Sequence, residues 1–151
     1  LPLTQQAIRN GLLQATLPGR FQVLPGDPAV ILDVAHNPDA AQQLAANLRA
    51  MPCTGRTLAV IAMLEDKDVE AVVDVMAPVV GKWHVAGLSG PRALDAPSLA
   101  GRLRKAGLEP ETVSPSVPEA LRSAKERALP GDRVVVFGSF LTVAEALAES
   151  V

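Results

Sequence analysis

Cysteine occurs once, at Cys53, so the chain can form no internal disulfide and no cysteine zinc site. A single thiol fits a reducing cytoplasm, where the protein is expected. Long apolar runs are missing too. None approaches the ~18 residues that cross a bilayer, so no membrane association is expected. The opening LPLTQQAIRNGLL lacks the basic region, apolar core and small-residue cleavage site of a signal peptide. Neither sign of charge dominates: 14 basic and 16 acidic residues give a net charge of -2. They are interspersed, with no basic stripe, which argues against a nucleic-acid partner. Two phosphate-binding signatures are also absent. VVGKW around Gly81 places Trp83 where a P-loop needs serine or threonine, and no G-x-G-x-x-G occurs.

What is present is an ordinary globular composition, 48% hydrophobic and 20% charged over 151 residues, enough for one domain with a real core. Residues 4–15 read as a short helix, with Thr4 as a plausible N-cap and Ile8, Leu12 and Leu13 in partial helical spacing. The stretch FQVL (21–24) alternates like a strand, and PGDP (25–28) is a turn. Strands are then expected at 30–35, 57–64, 82–88, 111–113 and 133–139. Helices are expected at 38–51, 69–76, 98–106, 118–128 and 141–148. The strands are almost continuously apolar, which means burial on both faces and a mostly parallel sheet under helices. The expected architecture is doubly wound α/β: a three-layer, Rossmann-like domain on a mostly parallel six-stranded sheet, with helices on both faces. The strand around Phe21 is placed at an edge or antiparallel.

In open α/β sheets, ligands sit beyond the carboxyl ends of the strands. Three stretches fall there. In ILDVAHNPDAA (31–41), Asn37 can cap the next helix, Pro38 suits its first position and Asp39 its positive end. Helix initiation leaves Asp33 and His36 unexplained. A carboxylate at a strand end can accept from ribose hydroxyls or an arginine, and an imidazole can orient a nucleophile or touch a phosphate. In MLEDKDVEA (63–71), capping by Asp66 or Asp68 is the favoured reading. In FGSFLTVAEAL (137–147), Ser139 is a normal N-cap at a helix start that could also receive an anion. His84, inside a strand, reads as a packed or surface residue, Trp83 as packing, and Cys53 as a turn residue with no histidine nearby in sequence.

LPGRFQV (17–23), DVAHNPDAA (33–41), AVIAMLEDKD (59–68), LSGPRAL (88–94) and VVVFGSFLTVAEAL (134–147) stand in an order and spacing found together elsewhere. The set resembles the C-terminal domain of the bacterial dihydrofolate synthase/folylpolyglutamate synthase family, within the Mur-ligase superfamily. The likeness covers essentially the whole chain. It implies a linker helix from a missing central ATPase domain over residues 1–16 and a Mur-ligase-type C-terminal domain over 17–151.

Such enzymes bind ATP between the central and C-terminal domains. ATP phosphorylates a carboxylate of dihydropteroate or of a folate glutamyl tail, and the amine of L-glutamate attacks the acyl phosphate. The resemblance implies ATP contacts by Arg20 and Asp33, a role for His36 at the ligation centre, and a place for Ser139 near the glutamate site. It implies Mg2+ as well, with the magnesium ligands and the P-loop in the missing domain, so that this chain alone is expected to be inactive. The family expectation is a monomer. Leu141 departs from the pattern, since many relatives carry histidine or tyrosine after the Ser-Phe pair. Two other readings stand beside this one: the corresponding domain of a peptidoglycan Mur ligase, and a non-catalytic nucleotide-binding α/β module.

Overall fold

The computed structural model describes residues 19–150, so the helix expected over 4–15 and the linker assigned to 1–16 lie outside the described residues. A short strand β1 (Gln22–Leu24) leads into β2 (Ala29–Asp33) and helix α1 (Pro38–Ala50). Strand β3 (Thr57–Ile61) precedes α2 (Val69–Met76) and a single 3-10 turn at Ala77–Val79. Then come β4 (Lys82–Ala86), α3 (Ala96–Lys105), β5 (Thr112–Ser114), α4 (Val117–Arg127), β6 (Arg133–Phe137) and α5 (Phe140–Ser150). The six strands form one sheet in the order β1-β2-β6-β3-β4-β5. Only β1 runs antiparallel, pairing Val23 with Ile31, and it also lies at an edge. The two edge strands, β1 and β5, have three residues each, which keeps the unpaired margins of the sheet short.

Chain handedness decides which helix covers which face. The steps β2 to β3, β3 to β4 and β4 to β5 all move the same way across the sheet, so right-handed crossovers place α1, α2 and α3 on one face. The step from β5 back to β6 reverses direction and puts α4 on the other, where α5 joins it. Each face has its own core. Leu44, Leu48, Val73, Met76, Leu99 and Leu103 pack over Ile31, Ile61, Val135 and Phe137. Leu121, Ala124, Val143 and Ala146 pack over Val30, Leu32, Val60, Val134 and Val136. Successive residues of one strand therefore serve opposite cores, which is why RVVVF has no polar alternation.

Helix starts are set by side-chain caps. Asn37 accepts from Ala40 N–H at 2.8 Å and Asp68 from Ala71 N–H at 3.1 Å. Helix α3 begins at Ala96, ahead of the expected Ser98, because Asp95 accepts from Ser98 N–H at 2.7 Å. Four strands stop short of their expected ends: β2 at Asp33, β3 at Ile61, β4 at Ala86 and β6 at Phe137, not at 35, 64, 88 and 139. Beyond β6 the neighbour turns away at Gly138 (φ 130°), so the ladder has nothing to continue against. The carbonyl of Ala62 instead accepts from Thr142 Oγ1 at 2.7 Å, and that of Met63 from Leu94 N–H at 3.2 Å. Residues 62–63 are thus a buried loop whose carbonyls are satisfied outside the sheet, while Ala62 N–H still donates to the carbonyl of Phe137 on β6 at 3.4 Å.

The opposite end of the sheet is stapled by charge. Buried Arg133 donates to the carbonyls of Leu48 (2.8 Å) and Met51 (3.0 Å), closing the C-terminus of α1, and to Thr57 Oγ1. Arg56 grips Asp132 through Nε, Nη2 and its own backbone N–H. Among the described residues no helix is long and apolar enough to cross a membrane.

Candidate functional site

The order β2-β6-β3 brings together three strand ends whose connections leave to different faces: β2 and β3 run on into α1 and α2, β6 into α5. Such a reversal opens a crevice at the carboxyl edge of a parallel sheet. Register puts Asp33, Phe137 and Ile61 level with one another. The residues just beyond them enclose a cavity of about 400 Å3 lined by His36, Leu64, Lys67, Ser139, Phe140 and Leu141. That lies within the range of small-molecule sites, ~300–1,000 Å3. The walls are mainly apolar, and Phe140 is 67% exposed.

His36 stands between strand and helix, half-buried, with Nδ1 3.0 Å from the carbonyl of Val34. A carbonyl only accepts, so Nδ1 is the donor in this contact, and the tautomer it selects has its lone pair on Nε2. Ser139 is 7% exposed and bound on both sides. Its Oγ accepts from Thr142 N–H at 3.0 Å, capping α5. Because Thr142 Oγ1 gives its proton to Ala62, the 2.7 Å contact between the two hydroxyls has Ser139 as donor. Thr142 and Val143 N–H are taken by Ser139. The N–H groups of Phe140 and Leu141, earlier in the turn, have no partner inside the helix and so mark an anion-receptive end. Gly138 is required just before this turn, since a Cβ there would strike the carbonyl of Ala62.

Asp33 and Arg20 share this end of the sheet but do not line the cavity. Asp33 is 4% exposed, and its two oxygens accept from Phe21 N–H (3.0 Å) and Ala35 N–H (2.8 Å). Burial raises its carboxyl above the ordinary range, opposed by those two bonds and by the positive charge of Arg20. Phe21 sits at φ 47°, uncommon for a bulky residue, and Gly19 before the arginine at φ 78°. The exposed Arg20 thus rides a tight turn tied to the floor of the site by Asp33. The structure brings His36 and Ser139 into one cavity and leaves Arg20 and Asp33 on its β1 flank.

Lys67 had drawn no functional expectation, because 63–71 reads as a helix start. Its place in the turn between a buried strand, β3, and the next helix, α2, was the available signal. Among the described residues no carboxylate pairs with it, and no cluster of three histidine, cysteine, aspartate or glutamate side chains could hold a metal ion. His84 is a packed residue, wholly buried and hydrogen-bonded to Thr112 Oγ1 at 2.7 Å.

Fold and cavity together define a doubly wound α/β domain with a cavity at the switch of strand order. The chain belongs to the Mur ligase family: the model of its glutamate ligase domain matches residues 19–140. It is 42% identical over 147 residues to the dihydrofolate synthase/folylpolyglutamate synthase of Escherichia coli K12, covering 97% of this chain and 34% of that relative. Among solved structures, it superposes with TM-score 0.78 on E. coli FolC in complex with DHPP and ADP, at 42% identity, covering 96% of this chain and 34% of the other. It superposes with TM-score 0.80 on a bifunctional folylpolyglutamate synthase/dihydrofolate synthase with Mn, AMPPNP and L-glutamate bound, at 43% identity, covering 98% and 35%. The chain therefore spans about a third of the length of the Escherichia coli relative, 34%.

Proposed function

We propose that this chain is the C-terminal domain of an ATP-dependent ligase that joins L-glutamate to dihydropteroate, to folates or to both, through an acyl phosphate. The observation that carries the reading is the cavity at the β2-β6-β3 edge, where one cation, one imidazole and one helix N-terminus face a small apolar space. An amino acid with two carboxylates suits it. Lys67 supplies a mobile point charge for one carboxylate, and the start of α5, capped by Ser139, suits the other. His36 Nε2 lies on the same wall as an acceptor, fit to orient the incoming amine or take up its proton. Leu64, Phe140 and Leu141 give the space an apolar wall suited to the methylene chain of such a substrate.

ATP would meet the flank instead. Arg20 offers a planar fork for phosphate oxygens, on which charge develops during phosphoryl transfer. Asp33 has lone pairs left for ribose hydroxyls, but with both oxygens held by backbone N–H groups its first task is to fix the Arg20 turn. Magnesium, when bound with ATP, would neutralise the phosphates. Its protein ligands are assigned, as the family resemblance implies, to the central ATPase domain of the longer parent chain. A monomer in the cytoplasm, with Cys53 reduced, completes the proposal.

The test is the intact protein assayed for ADP release with every combination of substrates. Release that requires L-glutamate together with dihydropteroate or a folate is expected. Release that ignores both, or that requires a peptidoglycan precursor instead, overturns the reading.

A further inference from the structure

The loop that carries Lys67 is held from behind by one side chain. Arg102, on α3, donates from Nη1 to the carbonyl of Lys67 and from Nη2 to the carbonyl of Glu65, both at 3.1 Å. Its helix neighbour Arg104 pairs with Glu109. Arg102 has no carboxylate partner among the described residues, and its fork is spent on two carbonyls of a different segment. Backbone bonds also hold the loop: Glu65 N–H donates to the carbonyl of Arg92 at 2.9 Å and Val69 N–H to that of Lys67 at 3.0 Å, but it is Arg102 that ties the carbonyls of Glu65 and Lys67 to one another. Arg92 meets Asp66 at 3.3 Å with both side chains largely exposed, and Leu64 forms a single bridge with Ala93. Fixing the carbonyls of residues 65 and 67 fixes the peptide plane between Glu65 and Asp66 and the one just beyond Lys67, while the plane between them is held by Lys67 N–H donating to the carbonyl of Leu64 at 3.3 Å. That sets the direction of the Lys67 Cα–Cβ bond, and with it where the ammonium enters the cavity shared with His36 and Ser139.

We propose that Arg102 is a positioning residue for the amino-acid substrate: it aims Lys67 at the substrate carboxylate without touching the substrate. The proposal rests on the glutamate reading of the cavity given above. A lysine in its place would keep the charge but could not span both carbonyls.

The experiment is steady-state kinetics of the intact ligase with Arg102→Ala, Arg102→Lys, Lys67→Ala and the Arg102→Ala/Lys67→Ala pair, alongside thermal melting. Arg102→Ala should raise KM for L-glutamate about tenfold, the size of one lost hydrogen bond to a charged group, while KM for ATP and the melting temperature stay close to the parent. Arg102→Lys should raise the same KM about threefold, because charge alone does not restore the fork. In the Lys67→Ala background, removing Arg102 should add nothing to KM for glutamate. Full rescue by Arg102→Lys, or a KM for glutamate unmoved in Arg102→Ala while Lys67→Ala raises it, overturns the positioning role and leaves the glutamate site standing. A KM unmoved in Lys67→Ala itself overturns both.

Discussion

The backbone N–H of Phe21 donates to Asp33 Oδ2 at 3.0 Å, joining residues twelve apart in sequence and locking a left-handed turn directly behind Arg20. The pair separates two kinds of defect. Asp33→Ala leaves the N–H groups of Phe21 and Ala35 without their acceptor, so it should lower unfolding free energy by roughly 1–3 kcal/mol as well as weaken ATP use. Arg20→Ala removes an exposed side chain and should leave stability within about 0.5 kcal/mol. In the intact ligase it should still cost about 2–4 kcal/mol of transition-state stabilisation, seen in kcat/KM for ATP. Denaturant unfolding read beside ATP kinetics checks both. Equal stability of the two variants would sever the tie between Asp33 and the arginine turn, and unchanged ATP kinetics in both would remove them from the nucleotide site.

Gly138 marks where side-chain chemistry gives way to backbone fit. Its φ of 130° and the carbonyl of Ala62 leave no room for a methyl group. Gly138→Ala should push α5 off the end of β6, break the Thr142 bond to Ala62 and destabilise by more than about 2 kcal/mol. Thermal melting of this variant beside Gly101→Ala, at a helical glycine with open space around it, is the comparison. A Gly138→Ala protein as stable as the Gly101→Ala one would contradict the contact.

His84 predicts an acid-sensitive fold. Burial, chiefly, lowers its pKa from 6.5 to about 4, and Nε2 has no partner among the described residues. The native state therefore resists protonation while the unfolded chain accepts it below pH ~6.5, so this contribution to stability is complete above that value and is lost as pH falls toward 4. At ~1.4 kcal/mol per unit, the whole span is roughly 3 kcal/mol. Asp33 acts in the opposite sense. Its raised pKa adds stability at low pH that is lost as pH rises through it. The measurement is thus the difference between parent and His84→Gln in urea unfolding from pH 7.5 to 4.5. The gap between their profiles should narrow steadily toward acid. A constant gap would mean that the histidine titrates alike in both states.

Much of the architecture could be read in advance because local signals agreed with one another. Continuous apolar strands such as VVVF and the caps at Asn37 and at Asp66 or Asp68 each marked an element, and the strand around Phe21 could be placed at an edge or antiparallel. Misplaced boundaries arose where tertiary contacts replaced local ones. Residues 62–64 look like strand because they are apolar, but after one bond from Ala62 N–H to Phe137 their carbonyls turn to Thr142 and Leu94, and Leu64 bridges to Ala93. In the site, the residue types at strand ends pointed to His36 and Ser139. Lys67 was hidden because its neighbours Asp66 and Asp68 explained the stretch as a cap. The dual bonding of Asp33 was invisible because it depends on a turn that β1 brings back across the sheet edge.

His36 and Asn37 are adjacent in sequence, and the geometry assigns them opposite consequences. His36 is half-buried at the cavity wall, and its one hydrogen bond reaches the carbonyl of Val34 two residues back. Replacing it with alanine removes no core packing, so the melting temperature should stay nearly unchanged, as for surface changes within about 0.5 kcal/mol. Ligation by the intact enzyme should fall about a hundredfold or more, the scale of a lost general acid-base or orienting group. Asn37→Ala leaves Ala40 N–H without its cap and should cost about 1 kcal/mol of stability while turnover by the folded enzyme changes little. Single-turnover ligation beside thermal unfolding of both variants decides the matter. If His36→Ala unfolds many degrees earlier while the protein that remains folded keeps its rate, the imidazole is a structural plug for the β2–α1 turn and the reacting amine must be oriented by something else.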